Sequence, residues 1–442
     1  MGYRFCLGAS GAGKSSELHK RVTQYARDAL ARQDFSVNFL VVVPDQYTMQ
    51  TQKEMVLAAG EYGGILNVDV LSFGRLSHRI FEEMGADERG VLDDMGKTLL
   101  LRRLGSRCRK DRTVLGNGAQ RPGMIAEIKS VISEFMQYGI TPEGAGTLAA
   151  GAAAGGQGGL AARLLDLKLL YEAFLEERKN RYITGEETLD LLAEAIPRSG
   201  LIRRSIVIFD GFTGFTPVQN RVLLALMQNA KEVVFSLDYA EDGGTPIRSV
   251  MQGEAYEEQD LFYLTRKTVA QICKMAGQSG IPHEEDWYIG DETGRTVPPR
   301  FAGNPALAHL EKSLFRYPVR AYRKDAAELP VHLVLASNPA AEVRQMFRKI
   351  HELIAEKGYH YRDFAIVSGN LSAYEDDIRI CAAGMGIPVY LDTNRSVLQN
   401  PLTETIRGAL EIGGGDYSYE TVFRYLRSGL TGLSEDEVDR LE

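Results

Sequence analysis

The residues best suited to chemistry lie near the amino terminus, where Gly8-Ala9-Ser10-Gly11-Ala12-Gly13-Lys14-Ser15 matches the pattern G-x-x-x-x-G-K-[ST]. In this pattern the glycines let successive backbone N–H groups converge on phosphate oxygens, and the following helix adds its positive amino-terminal dipole. The lysine reaches the β- and γ-phosphates, and the next hydroxyl ligates Mg²⁺. The sequence therefore predicts a P-loop in residues 8–15, with Lys14 on the phosphates of a nucleotide and Ser15 on Mg²⁺.

A second residue with a chemical role is Asp210, which ends the apolar run of residues 206–209. An acid at the end of such a strand holds Mg²⁺ in P-loop ATPases, so we expect Asp210 and Ser15 to share the ion. A hydrolysing ATPase usually carries glutamate directly after this acid, whereas Gly211 follows here. The seven histidines and four cysteines have no spacing typical of a metal site, so no metal other than nucleotide-bound Mg²⁺ is predicted.

The elements that must position these residues alternate between strands and helices. Apolar runs typical of buried strands cover residues 3–7, 35–43, 67–72, 203–210 and 233–238. Helical periodicity follows each of the first three runs, and this alternation predicts a parallel sheet with helices on its faces. Ligands of such sheets bind at the carboxyl ends of the strands, where the P-loop would lie.

Changes in pattern divide the chain further. Helical periodicity without evident strands marks an insertion, and its Gly- and Ala-rich stretch at residues 139–159 is typical of a flexible connection. A fresh α/β pattern begins at residue 331, with strands expected at residues 331–335 and 364–367. The predicted parts are residues 1–85 and 201–285 (first α/β domain), 86–200 (helical insertion), 286–330 (linker), 331–415 (second α/β domain) and 416–442 (start of a further helical region).

The composition is that of an ordinary globular protein. Of its 442 residues 44% are hydrophobic and 25% charged, and the net charge of −8 argues against a chain coated with nucleic acid through bulk charge. No run approaches the roughly 18 apolar residues that a membrane span requires, and no signal peptide is evident, so we expect no membrane. Scattered cysteines fit a reducing cytosol and predict a cytoplasmic protein. A capped helix opens at Ser434, near the last residue, so we expect a longer protein.

Four stretches and the order of the elements resemble a known family. The order, from P-loop to second α/β domain, is similar to that of superfamily 1 helicases of the UvrD type. Residues 43–50, 69–76, 209–219 and 386–392 resemble the B subunits of bacterial AddAB helicase–nucleases. The resemblance implies a RecA-like P-loop NTPase fold, in which a parallel sheet with a helical insertion is followed by the start of a second RecA-like α/β domain.

For function, the resemblance implies the helicase-like part of a subunit that binds ATP, contacts single- and double-stranded DNA and pairs with an AddA-like motor and nuclease subunit. Members of this family process DNA double-strand breaks for homologous recombination and scan single-stranded DNA for the Chi sequence. Their nuclease domain and iron–sulfur cysteines lie in a carboxyl-terminal part without a counterpart in this sequence.

Two departures from the motor proteins concern hydrolysis. Gly211 stands where they carry glutamate, and residues 366–370 offer no arginine finger, whose loss costs about 10³ to 10⁵ in rate where it has been tested. The sequence therefore predicts a site that binds ATP and Mg²⁺ but hydrolyses ATP poorly. Two alternatives stay open: a P-loop phosphotransferase acting on a small molecule, and a scaffold with a relic P-loop.

The residues expected to contact DNA each have a structural alternative. Phe73 and Arg75 occupy the position of a strand-contacting motif by resemblance, but Phe73 is equally suited to the core. Phe212 and Phe215 would form either a DNA platform or a buried plug. Gln46 would touch the adenine or the bound strand, or simply begin a helix. A basic run would contact DNA or form a solvated helix face; it comprises Arg102, Arg103, Arg107, Arg109, Lys110 and Arg112.

Overall fold

The computed structural model describes residues 2–33, 36–60, 67–85, 90–108, 115, 121–179, 182–290, 297–322, 330–393 and 397–442. The chain divides into two compact units, residues 1–330 and residues 331–442. The elements of the first unit are, in chain order, β1 (Tyr3–Gly8), α1 (Lys14–Ala31), β2 (Asn38–Val42), α2 (Thr48–Ala58), β3 (Val68–Leu71), α3 (Phe73–Met84), β4 (Gly90–Leu92), α4 (Asp94–Arg107), α5 (Pro122–Gln137), α6 (Pro142–Ala154), α7 (Gly158–Arg178), β5 (Tyr182–Thr184), α8 (Gly185–Ala195), α9 (Gly200–Arg203), β6 (Ser205–Phe209), α10 (Pro217–Asn229), β7 (Glu232–Asp238), α11 (Ile247–Met251), α12 (Tyr263–Gln278), β8 (Trp287–Tyr288) and α13 (Pro305–Ser313).

The centre of the first unit is a six-stranded parallel sheet with the order β3-β2-β6-β7-β1-β8. Its register pairs Val42 with both Leu71 and Phe209, and pairs Gly8 with Asp238. The carboxyl ends of the strands therefore meet along one edge, which carries the P-loop. This arrangement confirms the predicted α/β fold with a parallel, RecA-like sheet.

Both faces of the sheet are buried. Along β1, for example, Phe5 and Leu7 pack into one apolar cluster, while the intervening Cys6 packs into another. Helices α3, α8, α10 and α12 contribute to the first cluster, and α1 and α2 to the second. Because successive side chains of a strand point to opposite faces, a sheet covered on both sides needs continuous apolar runs. This explains why the strands were visible in the sequence.

The inserted region between β3 and β6 is mainly helical, as predicted, but the expectation that it contains no strands is wrong. Strands β4 and β5 pair in parallel, with Val91 opposite Ile183. Each has only three residues, so neither is long enough to produce a recognisable alternating pattern. Helices α4, α5 and α7 share a separate apolar core with Leu101, Ile128 and Phe174.

The Gly- and Ala-rich stretch at residues 139–159 is not a flexible connection, because it contains helix α6 packed on α7. The Thr141 hydroxyl accepts a hydrogen bond from the Gly144 N–H and caps the helix. Ala145 and Ala149 are fully buried. Alanine has the highest helix propensity, and small side chains let two helices approach closely, so this composition serves packing here.

The range 286–330, predicted as a linker, belongs in part to the sheet. Strand β8 pairs with β1, so that Trp287 lies beside Cys6 and Tyr288 beside Leu7. Further on, the backbone N–H of Arg300 donates to the Gly11 carbonyl oxygen at 3.4 Å. A two-residue strand leaves no sequence pattern, which explains the wrong boundary.

The second unit contains α14 (Pro339–Lys357), α15 (Glu375–Met385), α16 (Pro401–Gly413), α17 (Tyr419–Leu426) and α18 (Glu435–Leu441). Val343 and Phe347 of α14 pack against Ile378 of α15. The strands expected at residues 331–335 and 364–367 are not formed, and the described part of this unit has no strand. A strand needs a hydrogen-bonded neighbour, and these runs lack one here. The second RecA-like domain therefore stays a prediction.

Among the helices that the structure describes, none combines the length and the apolar composition needed to cross a bilayer.

Candidate nucleotide-binding site

The predicted P-loop connects the end of β1 to the start of α1, as its motif requires. A side chain at Gly8 would bring its Cβ within 2.7 Å of the carbonyl oxygen of Ile289, the residue after β8, so this close approach demands glycine. Gly11 has a φ of +77°, a conformation that side chains disfavour. The Ala12 N–H donates to the Ala9 carbonyl oxygen at 3.1 Å and curls the loop.

The loop borders a cavity of about 260 Å³ at the carboxyl edge of the sheet. Ser10, Lys14 and Ser15 line it from the loop, and Asp210 lines it from the end of β6. The structure thus brings together Ser15 and Asp210, the two residues that we assigned to Mg²⁺. Gly8, Ala9 and Ala12 shape the loop behind the cavity, and Gly11 and Gly13 line it. None of the described side chains fills the space, so the loop is open to a ligand.

Lys14 is fully engaged by its own surroundings. Its Nζ donates to the carbonyl oxygens of Gly8, at 3.0 Å, and Ala9, at 3.1 Å, and lies 2.5 Å from Oδ1 of Asp238. An ammonium group has three donors, and these acceptors satisfy all of them. Asp238 ends β7 beside Gly8, and the sequence identified it only as the end of a strand.

Burial shifts the pKa values of two side chains near the loop, Cys6 and His19. Burial raises the pKa of the Cys6 thiol to about 12, with a smaller contribution from the Asp210 carboxylate, so the thiol is protonated at neutral pH. Burial lowers the pKa of His19, although Asp210 and Glu54 act in the opposite direction. The Asp210 backbone N–H donates to the Val42 carbonyl oxygen at 3.0 Å, which fixes this acid against β2.

Two further residues of the cavity were missed by sequence reasoning. Ser236 of β7 is only 4% exposed, and within the described ranges its hydroxyl has no hydrogen-bond partner. A buried unpaired hydroxyl costs free energy unless a ligand or water satisfies it. A hydroxyl within the otherwise apolar run of residues 233–237 was the signal that could have identified it.

Arg300 is the second missed residue. It is exposed, lines the cavity, and forms no ion pair with any residue that the structure describes. Its position depends on the turn at Pro299–Phe301, which packs on the P-loop far from it in sequence. No local motif indicates such a contact. Together, the open cavity, the unpaired Ser236 hydroxyl and the cations Lys14 and Arg300 fit a phosphate group with its Mg²⁺.

Gly211 has a backbone role of its own. Its φ is +79°, and a Cβ there would lie 3.6 Å from Cδ of Pro44. A glutamate at this position would adopt a conformation that L-residues rarely populate. The left-handed turn at position 211 therefore favours glycine and disfavours glutamate.

A larger cavity of about 740 Å³ adjoins the first at the ends of β2 and β3. Ser72, Gly74 and His78 line one side of it, and Phe212 lines both cavities. We call this larger cavity, bordered by residues 43–45, 72–82, 183–189 and 212–219, the edge groove.

The aromatic candidates for DNA contact are mostly packed inside. Phe73 is 9% exposed, and its ring centroid lies 5.7 Å from those of Phe209 and Phe212. Phe215 packs on Phe209 at 5.7 Å and on Phe212 at 5.2 Å. This cluster favours the core interpretation of Phe73 and the plug interpretation of Phe215. Phe212 is half-buried and keeps one side on the edge groove.

Of the polar candidates for DNA contact, Arg75 lies beside the edge groove and Gln46 does not. Arg75 is exposed in the first turn of α3, next to Gly74 of the edge groove, and none of the described acids pairs with it. Gln46 is exposed but lines neither cavity.

Two arginines of the basic run share one acid. Arg103 and Arg107 both pair with Glu177 of α7, the latter at 2.9 Å, whereas Arg102 is exposed. This pairing favours the structural interpretation for Arg103 and Arg107. Arg109, Lys110 and Arg112 lie outside the described residues.

The chain is similar to known proteins along its whole length. Residues 5–311 match the family model described as "ADDB, N-terminal". The whole chain is similar to proteins named as the B subunits of ATP-dependent helicase/deoxyribonucleases, with 35% identity to that of Lachnoclostridium phytofermentans and 34% to that of Desulforudis audaxviator. The chain spans 37% and 36% of the length of these two relatives.

Proposed function

The chain belongs to the ADDB, N-terminal family, and on that premise we propose that it is the ATP-binding, single-stranded-DNA-contacting, helicase-like region of a helicase–nuclease subunit. The observation that carries this proposal is the open cavity in which Lys14, Ser15 and Asp210 meet the unpaired hydroxyl of Ser236. The relatives' names mention ATP, a helicase and a deoxyribonuclease, which agrees with a triphosphate ligand next to a DNA groove.

In this proposal the phosphates of ATP lie in the small cavity. Backbone N–H groups of residues 10–15 and the ammonium group of Lys14 neutralise the phosphate oxygens, and Arg300 adds a second cation at the mouth. Ser15 and Asp210 would supply oxygen ligands for Mg²⁺. The bound nucleotide and its ion also give the Ser236 hydroxyl a partner.

Hydrolysis at this site is proposed to be slow. Positioning the attacking water requires an acid or amide close to the γ-phosphate, and Gly211 has no side chain to provide one. The ligands named above contact the phosphates in the ground state, so their presence supports binding without supporting turnover. In this proposal, ATP binds at the carboxyl edge of the sheet without driving a motor cycle.

Single-stranded DNA is proposed to run along the edge groove. The groove shares Phe212 with the nucleotide cavity, so a strand there would lie beside the phosphates. Its apolar walls suit unstacked bases, and the exposed Arg75 beside it suits the DNA backbone. Chi scanning, as in the family that the sequence resembles, would use this same groove.

The assembly follows from the relatives' names, since a B subunit implies a partner. In this proposal the chain acts with an AddA-like motor and nuclease subunit in the cytoplasm, where the complex processes double-strand breaks for homologous recombination. Co-purification of the two tagged subunits at high salt tests this; separate elution would contradict it.

Nucleotide binding is tested by calorimetric titration of ATP with Mg²⁺ into the wild-type chain and two variants. Lys14→Ala removes charge-assisted hydrogen bonds, each contributing about 1.5–3 kcal/mol, so affinity should fall at least about tenfold. Lys20→Ala removes the same charge from an exposed position on the same helix and should bind like the wild type. Equal affinity in all three proteins would contradict the site. Rapid ATP hydrolysis stimulated by single-stranded DNA would contradict the slow turnover.

DNA binding is tested by fluorescence anisotropy of a single-stranded oligonucleotide over a range of salt concentrations. Arg75→Gln should weaken binding and reduce the salt slope by about one phosphate contact. Arg103→Gln should leave both unchanged, because its guanidinium already pairs with Glu177. The reverse pattern would place DNA on the insertion instead of the edge groove.

A further inference from the structure

The nucleotide cavity contains a carboxylate that is bound where a phosphate is expected. Oδ1 of Asp238 lies 2.5 Å from Nζ of Lys14, the one side-chain anion in contact with this ammonium among the described residues. The other two donors of Lys14 are bound by backbone carbonyls that belong to the loop itself. An entering phosphate therefore competes with Asp238 for Lys14.

Hydrogen bonds hold the backbone at Asp238, whereas its side chain extends toward solvent. Its carbonyl oxygen accepts a hydrogen bond of 2.7 Å from Oγ1 of Thr265, and the Tyr239 N–H donates to the Gly8 carbonyl oxygen at 2.9 Å. The Asp238 side chain, however, is 64% exposed, whereas that of Lys14 is 10% exposed. Rotation of the Asp238 side chain toward solvent would release Lys14 without moving the strand.

The charges that line the cavity are balanced. Lys14 and Arg300 are cationic, and Asp210 and Asp238 are anionic, so the described lining carries no net charge. A triphosphate that enters without a metal ion meets two carboxylates and, within this described lining, only one cation that is not already paired. Mg²⁺ partly neutralises this repulsion when it accompanies the nucleotide.

We propose that Asp238 is an internal competitor for the phosphate chain at Lys14, which holds the empty site in a self-neutralised state and makes nucleotide binding weak and dependent on Mg²⁺. This inference rests on the proposed ATP site and adds a residue that sets its affinity. Nucleotide binding is then an exchange of anions, and the Asp238 carboxylate is released into solvent each time that the site fills.

The test is calorimetric titration of ATP into the 442-residue chain, with Mg²⁺ and separately with EDTA. Asp238→Asn removes the competing charge; Glu241→Gln makes the same change of charge on an exposed residue three positions further on and serves as the control. Because the Asp238 side chain is 64% exposed, loss of its ion pair and loss of one carboxylate–phosphate repulsion in water should each change the affinity by up to about fivefold. Asp238→Asn should therefore bind ATP about five- to thirtyfold more tightly in EDTA, with a smaller gain in Mg²⁺.

Poor folding of the variant cannot mimic the expected gain in affinity, because a poorly folded variant would bind less ATP. The inference is overturned if Asp238→Asn binds ATP in EDTA no more tightly than Glu241→Gln, or if its affinity in Mg²⁺ falls, which would make Asp238 a ligand of the metal. The proposed ATP site is judged separately by Lys14→Ala in Mg²⁺. If the wild type binds ATP through Lys14 and Asp238→Asn matches the control, only the competition fails.

Discussion

Arg266 of α12 is fully buried and forms an ion pair with a buried acid. Its Nη1 and Nη2 donate to the two carboxylate oxygens of Asp242 at 2.9 and 2.5 Å, and its Nε donates to the Thr245 carbonyl oxygen at 2.7 Å. The Asp242 side chain is only 3% exposed. The pair thus fastens the segment after β7 to the helix whose Thr265 holds the Asp238 carbonyl.

Replacing Arg266 with leucine leaves the Asp242 carboxylate buried without its counter-charge. Removal of one partner from a buried ion pair costs about 3–5 kcal/mol, a large fraction of the roughly 5–15 kcal/mol that stabilises a typical domain. Arg221→Leu is the control, because this arginine of α10 donates two hydrogen bonds to Oδ1 of Asp190 while the two side chains are 50% and 42% exposed. An exposed pair contributes at most about 1 kcal/mol.

Urea unfolding followed by circular dichroism measures both losses, and Asp242→Asn completes a double-mutant cycle. We expect the double variant to be destabilised by clearly less than the sum of the two single variants, since each single change already breaks the pair. Losses for Arg266→Leu and Arg221→Leu that agree within about 1 kcal/mol, or additive effects in the cycle, would refute the assignment of a buried pair.

The pH dependence of this pair has a definite sign. Burial alone raises the pKa of Asp242, but hydrogen bonds from Arg266 and from the Gly244 N–H outweigh it, so the net pKa lies below its ordinary value. The contribution of the pair is therefore complete above about pH 4, the ordinary carboxyl pKa, and is lost as the pH falls through the lower pKa of the folded state. The stability difference between wild type and Arg266→Leu should shrink over that acidic range.

Three further predictions address other parts of the chain. Ala149→Leu should overpack the contact between α6 and α7 and cost about 1–3 kcal/mol in urea unfolding, whereas Ala150→Leu, at the exposed neighbour, should be nearly neutral; equal effects would mean that α6 is not packed. The pKa of buried His19 is lowered, so the unfolded chain takes up the proton first below about pH 6.5, and the free energy of unfolding should fall by at most about 1.4 kcal/mol per pH unit toward pH 5. His19→Gln should flatten that slope, and an unchanged slope would assign it to other groups. Ser236→Ala should leave the empty chain equally stable or up to about 1 kcal/mol more stable but weaken ATP binding in calorimetry; unaltered binding would remove the hydroxyl from the site.

The parts of the fold that the sequence predicted are those in which burial imposes a local pattern. Strands β1, β2, β6 and β7 are mainly apolar because helices cover both faces of the sheet, and the P-loop lies between a strand and a helix by necessity. Short elements leave no comparable pattern, so β4, β5 and β8 were missed. Helix α6 was missed because glycine and alanine are typical of both flexible segments and closely packed helices.

The site was predictable only where one segment supplies it. Ser15 and Lys14 belong to a contiguous motif, and Asp210 follows a recognisable strand. Asp238 and Arg300 reach the same cavity through the order of strands in the sheet and through a turn packed on Gly11, which depend on contacts between distant parts of the chain. The pairing of Arg103 and Arg107 with Glu177 likewise needs the packing of α4 against α7. Residue type alone had suggested that these arginines contact DNA.

The arrangement of the cavity separates binding from hydrolysis in physical terms. Lys14, Ser15 and the loop act on phosphates that are present before any reaction, whereas a water-orienting glutamate acts only in the transition state. Gly211 has a φ of +79°, so glutamate at this position would cost backbone strain. A single Gly211→Glu substitution should therefore leave hydrolysis slow in a phosphate-release assay. Turnover raised a hundredfold by that change alone would mean that the turn is adaptable and that only the acid was missing.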